Sequence, residues 1–111
     1  MAVQVLISQK GPLPINVSFN APSDAPIYLE VNGSVWSQTP NVMLGIAVQI
    51  DGAVVGTANI FSNGSATHRA VVPAYMPIQL KQGQHTISLS PAPGTTTVSD
   101  FNDFFTAVLH Y

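Results

Sequence analysis

Three histidines, four aspartates, one glutamate, one arginine and one tryptophan are the side chains of this 111-residue sequence that could do distinctive chemistry. His68, His85 and His110 are the candidate bases or ligands. None stands in an H-x-H or H-E-x-x-H spacing, which would aim two imidazoles at one metal from a single element. In GQHTISL, His85 follows Gly83 at a strand start, where its ring is expected to cap the turn. His110 alternates with Leu109 and is expected to face away from whatever Leu109 packs on. Glu30 alternates with Leu29 and Val31 in IYLEVNG and reads as a solvent-facing strand charge rather than a general acid. A hydrolase needs a nucleophile, a base and an orienting group converging in a cleft. With no G-x-S-x-G elbow, no carboxylate pair in a recognisable context and no glycine-rich phosphate loop, the sequence supplies no catalytic residue, no metal site and no cofactor site.

Asp100, Asn102 and Asp103 fall in one turn. Oxygen-rich turns of this kind can hold Ca²⁺, but Asx side chains bond their own backbone before a strand equally well, and the turn role is preferred. One of these carboxylates could pair with Arg69, the only arginine, if the two loops meet at one end of the molecule. Trp36, in NGSVWSQTPN, sits where a strand passes into a polar loop. An indole stacks on the C–H faces of sugars, and the neighbouring Asn, Gln and Ser groups could fix hydroxyls. The alternative is a ring packed under the loop. Tyr75, in VVPAYMP, is expected on another loop and could serve in the same way. His68 and Arg69 complete the candidate ligand-binding set, as a site near a subunit junction.

The elements that must hold these residues are strands. Period-two alternation or short β-branched runs fill nearly every segment, and turn signals recur at close spacing. The pattern predicts strands near residues 3–8, 15–20, 27–34, 43–50, 54–61, 67–72, 78–80, 85–90, 95–98 and 104–110, with no helix of useful length. Asp51-Gly52 joins two apolar runs and matches the type I′ hairpin turn. Asn63-Gly64 repeats that chemistry, so residues 43–72 are expected to form a three-stranded meander. The nine prolines fall between the runs or near their ends, as they must if a residue without an N–H is kept out of central ladders.

Composition bounds the rest. The length suits one domain, residues 1–111, with a single core. Only 7% of residues are Asp, Glu, Lys or Arg, against roughly a quarter in an average domain, while 46% are hydrophobic. Either part of the exterior is covered by partner subunits, or the surface is made polar by Ser, Thr, Asn and Gln. A net charge of -2 without a basic cluster argues against nucleic-acid binding. The absence of cysteine excludes a disulfide scaffold and thiolate chemistry. No apolar run approaches the roughly 18 residues of a membrane span, and MAVQVLISQK lacks the marks of a signal peptide, so the expected location is the cytoplasm or an export route that leaves no such mark.

The segments IAVQIDGAVVGTANIF, THRAVVPAY, LKQGQHTISLS and SDFNDFFTAVLHY, spanning residues 43–111, resemble the second half of the jelly roll of complement globular heads and tumour-necrosis-factor-like domains. The most specific stretch is the last, an Asx-rich turn leading into an apolar strand that ends at Tyr111, as when a final strand lies in the middle of a sheet. The resemblance implies an all-β jelly-roll β-sandwich of two antiparallel sheets, assembled as a homotrimer. Small bacterial lectins of that architecture are nearest in size. The expected function is a non-enzymatic oligomeric binding module with carbohydrate as its ligand; the alternative is a structural subunit of a virion, tail or coat.

Overall fold

The computed structural model describes residues 2–111. Nine strands follow one another: β1 (Val3–Lys10), β2 (Ile15–Ala21), β3 (Ile27–Val35), β4 (Val42–Ile50), β5 (Ala53–Ser62), β6 (Arg69–Ala70), β7 (Ala74–Ile78), β8 (Gly83–Pro91) and β9 (Phe104–His110). No helix among the described residues is long and apolar enough to cross a membrane. Every ladder is antiparallel. One sheet runs β1-β9-β3, with β7 and then β6 filling the place beyond β3; the other runs β2-β8-β4-β5.

The pairing follows one rule. The β4–β5 hairpin is the tip of a long double ribbon, and outward from it β3 pairs β6 and β7, β2 pairs β8, and β1 pairs β9. Rolling that ribbon sends alternate pairs to opposite sheets. The chain is therefore a jelly-roll sandwich, and β9 lies between β1 and β3, the buried position anticipated for a strand that ends the sequence. At the tip, Asp51 (φ 50°) and Gly52 (φ 84°) both occupy the left-handed region that a type I′ turn requires.

Alternation decides which side chains meet. Leu29, Val31 and Val35 from β3, Leu44, Ile46 and Val48 from β4, Ile87 and Leu89 from β8, and Phe105, Ala107 and Leu109 from β9 fill the space between the sheets and are almost wholly shielded. Gly33 lies opposite Phe105 in the ladder, and a Cβ there would come within 2.4 Å of the Phe105 ring. The missing side chain is what lets that ring approach β3 so closely.

Three strand expectations fail between β5 and β9. Residues 67–72 do not continue the meander: only Arg69–Ala70 is a strand, and it pairs with Ser34 and Val35 of the opposite sheet. The reason lies in the loop after β5. Gly64 is not left-handed, Ala66 (φ 56°) is, and its N–H donates to Ser37 O, so the chain is drawn across the end of the sandwich instead of folding back. Val71 N–H then donates to Gly33 O of one sheet and Val72 N–H to Asn59 O of the other, which closes this side. The strand expected at 78–80 lies instead at Ala74–Ile78. Residues 95–98 form no strand; only Val98 bridges to Trp36.

Candidate functional site at the loop end

The loops after β1, β3, β5 and β8 converge where β9 begins. Alternation along β3 turns Tyr28, Glu30, Asn32, Ser34 and Trp36 to the outer side, so Ser34 and Trp36 lie at the loop end of that face. Asp103, which immediately precedes β9, is fully buried there. Its Oδ1 accepts hydrogen bonds from Ser34 Oγ (2.7 Å) and His68 Nδ1 (2.6 Å), while Oδ2 accepts from the Asp100 N–H (2.9 Å). Three donors from three segments make this carboxylate the organising group of the loop end.

The bond from Asp103 holds the His68 ring as the Nδ1–H form and raises its pKa above the usual histidine value. His68 Nε2 then faces Asp100 Oδ2 at 3.8 Å, and one face of the imidazole lies against Trp36, ring centroids 5.7 Å apart. Trp36 is half-buried, and its Nε1–H is shielded with no acceptor among the described residues. Its backbone exchanges both hydrogen bonds with Val98. The flanking loop is fixed in depth: Thr97 Oγ1 accepts the Gly45 N–H, Ser37 Oγ bonds Thr96 Oγ1, and Ser99 Oγ accepts the Leu13 N–H.

Asp100 Oδ1 accepts the Asn102 N–H at 2.8 Å, so the acidic turn does bond its own backbone. Between these two Asx residues Phe101 stands 74% exposed at the tip of the turn, the most exposed large apolar side chain among the described residues. His68, Asp100 and Asp103 each offer an atom within 4.8 Å of the others. His68 Nε2, Asp100 Oδ2 and the Asp103 carboxylate are the candidate ligand atoms of this group, the last of them already accepting three hydrogen bonds from the protein.

Of the four candidate ligand-binding residues, Trp36, His68 and Arg69 come together at this end and Tyr75 does not. Tyr75 is on β7, not on a loop, opposite Glu30. Its ring is 6.1 Å from that of His110, whose Nε2 bonds Glu30 Oε1 at 2.8 Å. The pairing of the acidic turn with Arg69, one of the alternatives left open by the sequence, is not formed, and His68 is the partner instead. Arg69 follows His68 and is in register with Val35, so alternation turns its guanidinium away from Asp103, and it makes no ion pair among the described residues. Phe101 and the burial of Asp103 were missed by sequence reasoning. The aromatic in the Asx turn was visible in SDFND, but nothing in the sequence ranks its exposure above that of its neighbours.

No family model matches the sequence, and no curated protein matches it. Solved structures do share the fold. A cycloisomaltooligosaccharide glucanotransferase from Paenibacillus sp., complexed with cycloisomaltoheptaose, aligns with 96% of this chain at TM-score 0.55 and 10% identity, this chain spanning 17% of that one. The CBM36-1 domain of a multidomain xylanase from the hindgut metagenome of Trinervitermes trinervoides aligns with 99% of this chain and 98% of its own at TM-score 0.51 and 15% identity. An exo-beta-1,3-galactanase from Phanerochaete chrysosporium gives 0.52 at 11% identity over 98% of this chain and 26% of that one. At these identities the likeness is one of fold.

Proposed function

We propose that this chain is a non-enzymatic carbohydrate-binding module whose sugar site is the loop end built around Asp103. The carrying observation is an exposed flat aromatic, Phe101, at the tip of an Asx turn whose Asp100 carboxylate faces His68 Nε2. Sugar C–H faces stack on such a ring, and the amide, carboxylate and imidazole supply directional bonds to hydroxyls. Trp36 acts beneath this surface by backing the His68 ring. Fold neighbours that include the CBM36-1 domain of a xylanase and a glucanotransferase complexed with cycloisomaltoheptaose support the ligand class. Tyr75 stands as a separate platform on the sheet face.

The module is further proposed to work as a homo-oligomer, with the trimer of complement-head and tumour-necrosis-factor-like domains as the order implied by resemblance. Several weak sites on one particle then gain avidity without new contacts. A glycan array probed with the parent, Phe101→Ala and Tyr75→Ala tests the assignment. Binding to a defined sugar class that Phe101→Ala abolishes and Tyr75→Ala leaves intact is expected. Loss on Tyr75→Ala alone moves the site to the sheet face, and absence of binding by the parent favours a structural assembly subunit.

A further inference from the structure

Among the described residues, His85 is the one histidine whose two ring nitrogens both lie within hydrogen-bond distance of a protein acceptor. Nδ1 is 2.6 Å from Asp51 Oδ2 and Nε2 is 2.7 Å from Lys81 O. Neither partner can donate. The Asp51 carboxylate accepts at both oxygens, Oδ1 taking the Thr86 N–H at 2.9 Å, and a backbone carbonyl has no proton to give. Each ring nitrogen must therefore carry its own hydrogen, so this arrangement is that of an imidazolium. The groups facing the ring are few. The β4–β5 turn offers Asp51, β2 offers the uncharged Phe19 ring with centroids 6.0 Å apart, and residues 79–82 between β7 and β8 offer the Lys81 carbonyl. The Lys81 ammonium is the one other cation in that turn. Asp24, in the loop after β2, holds the turn from its other side, accepting the Gln82 N–H at Oδ1 and Gln79 Nε2 at its backbone oxygen. Gly83 joins the turn to β8 at φ 125°, with nothing within 4 Å of where a Cβ would stand, so glycine serves there for its backbone freedom and not for space.

We propose that His85 is a proton-operated latch that holds the turn of residues 79–82 to the β4–β5 hairpin, closed in the imidazolium form and released in the neutral one. The latch lies at the end of the sandwich opposite the proposed sugar site and does not depend on that reading. Loss of one proton cannot leave both bonds in place. The anionic carboxylate is the stronger acceptor, so the hydrogen stays on Nδ1 and Nε2 is left with a lone pair. That lone pair then faces the Lys81 oxygen, acceptor against acceptor, and the contact opens about Gly83. Because the ring stays with Asp51, what parts from it is the turn and not the hairpin. The Asp51 bond first, and then the Lys81 bond, raise the His85 pKa, which places the release on the alkaline side of 6.5. Asp51 is half exposed, so solvent screens the pair and the latch is set by a small free energy. Opening of a single turn, with Asp24 still engaged, needs no more than that.

The test is an NMR titration of the isotopically labelled full chain from about pH 5 to 9, which brackets the ordinary histidine range. Ring ¹⁵N shifts of His85 report which nitrogen carries a hydrogen, the Lys81 carbonyl ¹³C and Gln82 amide ¹⁵N shifts report the bond to the turn, and the heteronuclear NOE of residues 80–82 reports its motion. Both ring nitrogens are expected to be protonated at the acid end and Nδ1 alone at the alkaline end. The Lys81 and Gln82 shifts should move with the same midpoint as the ring, and the NOE of residues 80–82 should fall above it. In His85→Gln, the turn signals should lose that midpoint. A ring that does not titrate in this range, or that keeps its hydrogen on Nε2 when neutral, overturns the latch. So do Lys81 and Gln82 shifts that stay still while the ring titrates, an NOE that does not change, or a turn in His85→Gln that titrates as in the parent.

Discussion

Asp103 shows how one side chain can set the geometry of a whole end of the molecule. Removing its carboxylate strands the Ser34 hydroxyl, the Asp100 N–H and the His68 Nδ1–H, two of them in shielded surroundings. Asp103→Ala should therefore cost on the order of 2–4 kcal/mol in denaturant unfolding. His68→Gln, at a half-exposed position, should cost less than about 1 kcal/mol. Equal costs would mean that Asp103 acts chiefly through the histidine. At the opposite end, Asp51 does more than occupy a turn. Its Oδ1 accepts the Thr86 N–H and its Oδ2 bonds His85 Nδ1 at 2.6 Å, while His85 Nε2 donates to Lys81 O at 2.7 Å. The ring thus ties the turn before β8 to the β4–β5 hairpin, a cap of wider reach than GQH alone suggests. Gly52→Val should cost about 1–3 kcal/mol as left-handed strain. Asp51→Ala should also lower the melting temperature, and by less in a His85→Gln background, where the partner is already gone. Additive losses in that double-mutant cycle would show that the pair is not coupled.

At the scale of elements, what was legible in the sequence tracks how local the determinant is. The β4–β5 hairpin needed only Asp51-Gly52 between apolar runs, and β9 needed only the alternation of Phe105, Ala107 and Leu109. Residues 63–72 carry the same strand-forming residues but go elsewhere, because the partner of Arg69–Ala70 is β3, more than thirty residues upstream. No local rule reports that a loop is drawn to Ser37 and Gln38 across the sandwich end. The same limit applies to the site: Trp36 and His68 could be nominated from residue type, whereas the choice of His68 over Arg69 as the partner of Asp103 follows from strand parity, which flips if the strand shifts by one residue. Packing between elements gives a sharper expectation. A Cβ on Gly33 would press into Phe105 and Ile46, both fully buried, so Gly33→Ala should destabilise by about 1–3 kcal/mol although alanine favours most backbone conformations over glycine. A stability equal to the parent in urea unfolding would mean that the Phe105 ring has room to turn aside.

Over the whole molecule each of the three histidines is bonded to a carboxylate, and those three pairs join segments distant in sequence: His68 with Asp103, His85 with Asp51 and His110 with Glu30. The bonds to Asp103 and Asp51 raise the pKa of His68 and of His85 above the ordinary 6.5. A raised histidine pKa contributes stability that is fully present below the unfolded value and is lost as pH rises through the folded one. On the acid side, the His110 bond lowers Glu30 below 4.5, and the His85 bond lowers Asp51 below 3.8. A lowered carboxylate contributes above its unfolded value, and that contribution is lost as pH falls through the folded one. The two windows overlap between the carboxylates' ordinary values and that of histidine, so thermal stability should peak in mildly acidic solution, at about pH 5–6, and decline toward about pH 8. With only eight formally charged side chains in the sequence, few other groups can mask that decline. Replacing both His68 and His85 by Gln removes the two raised groups and should flatten the alkaline limb of the melting-temperature profile; on the acid limb the contribution of Glu30 stays and that of Asp51, which loses its His85 partner, shrinks. A parent profile that is flat from about pH 5 to 8, or a double variant that declines as steeply, would show that these pairs do not carry the stability of the charged state.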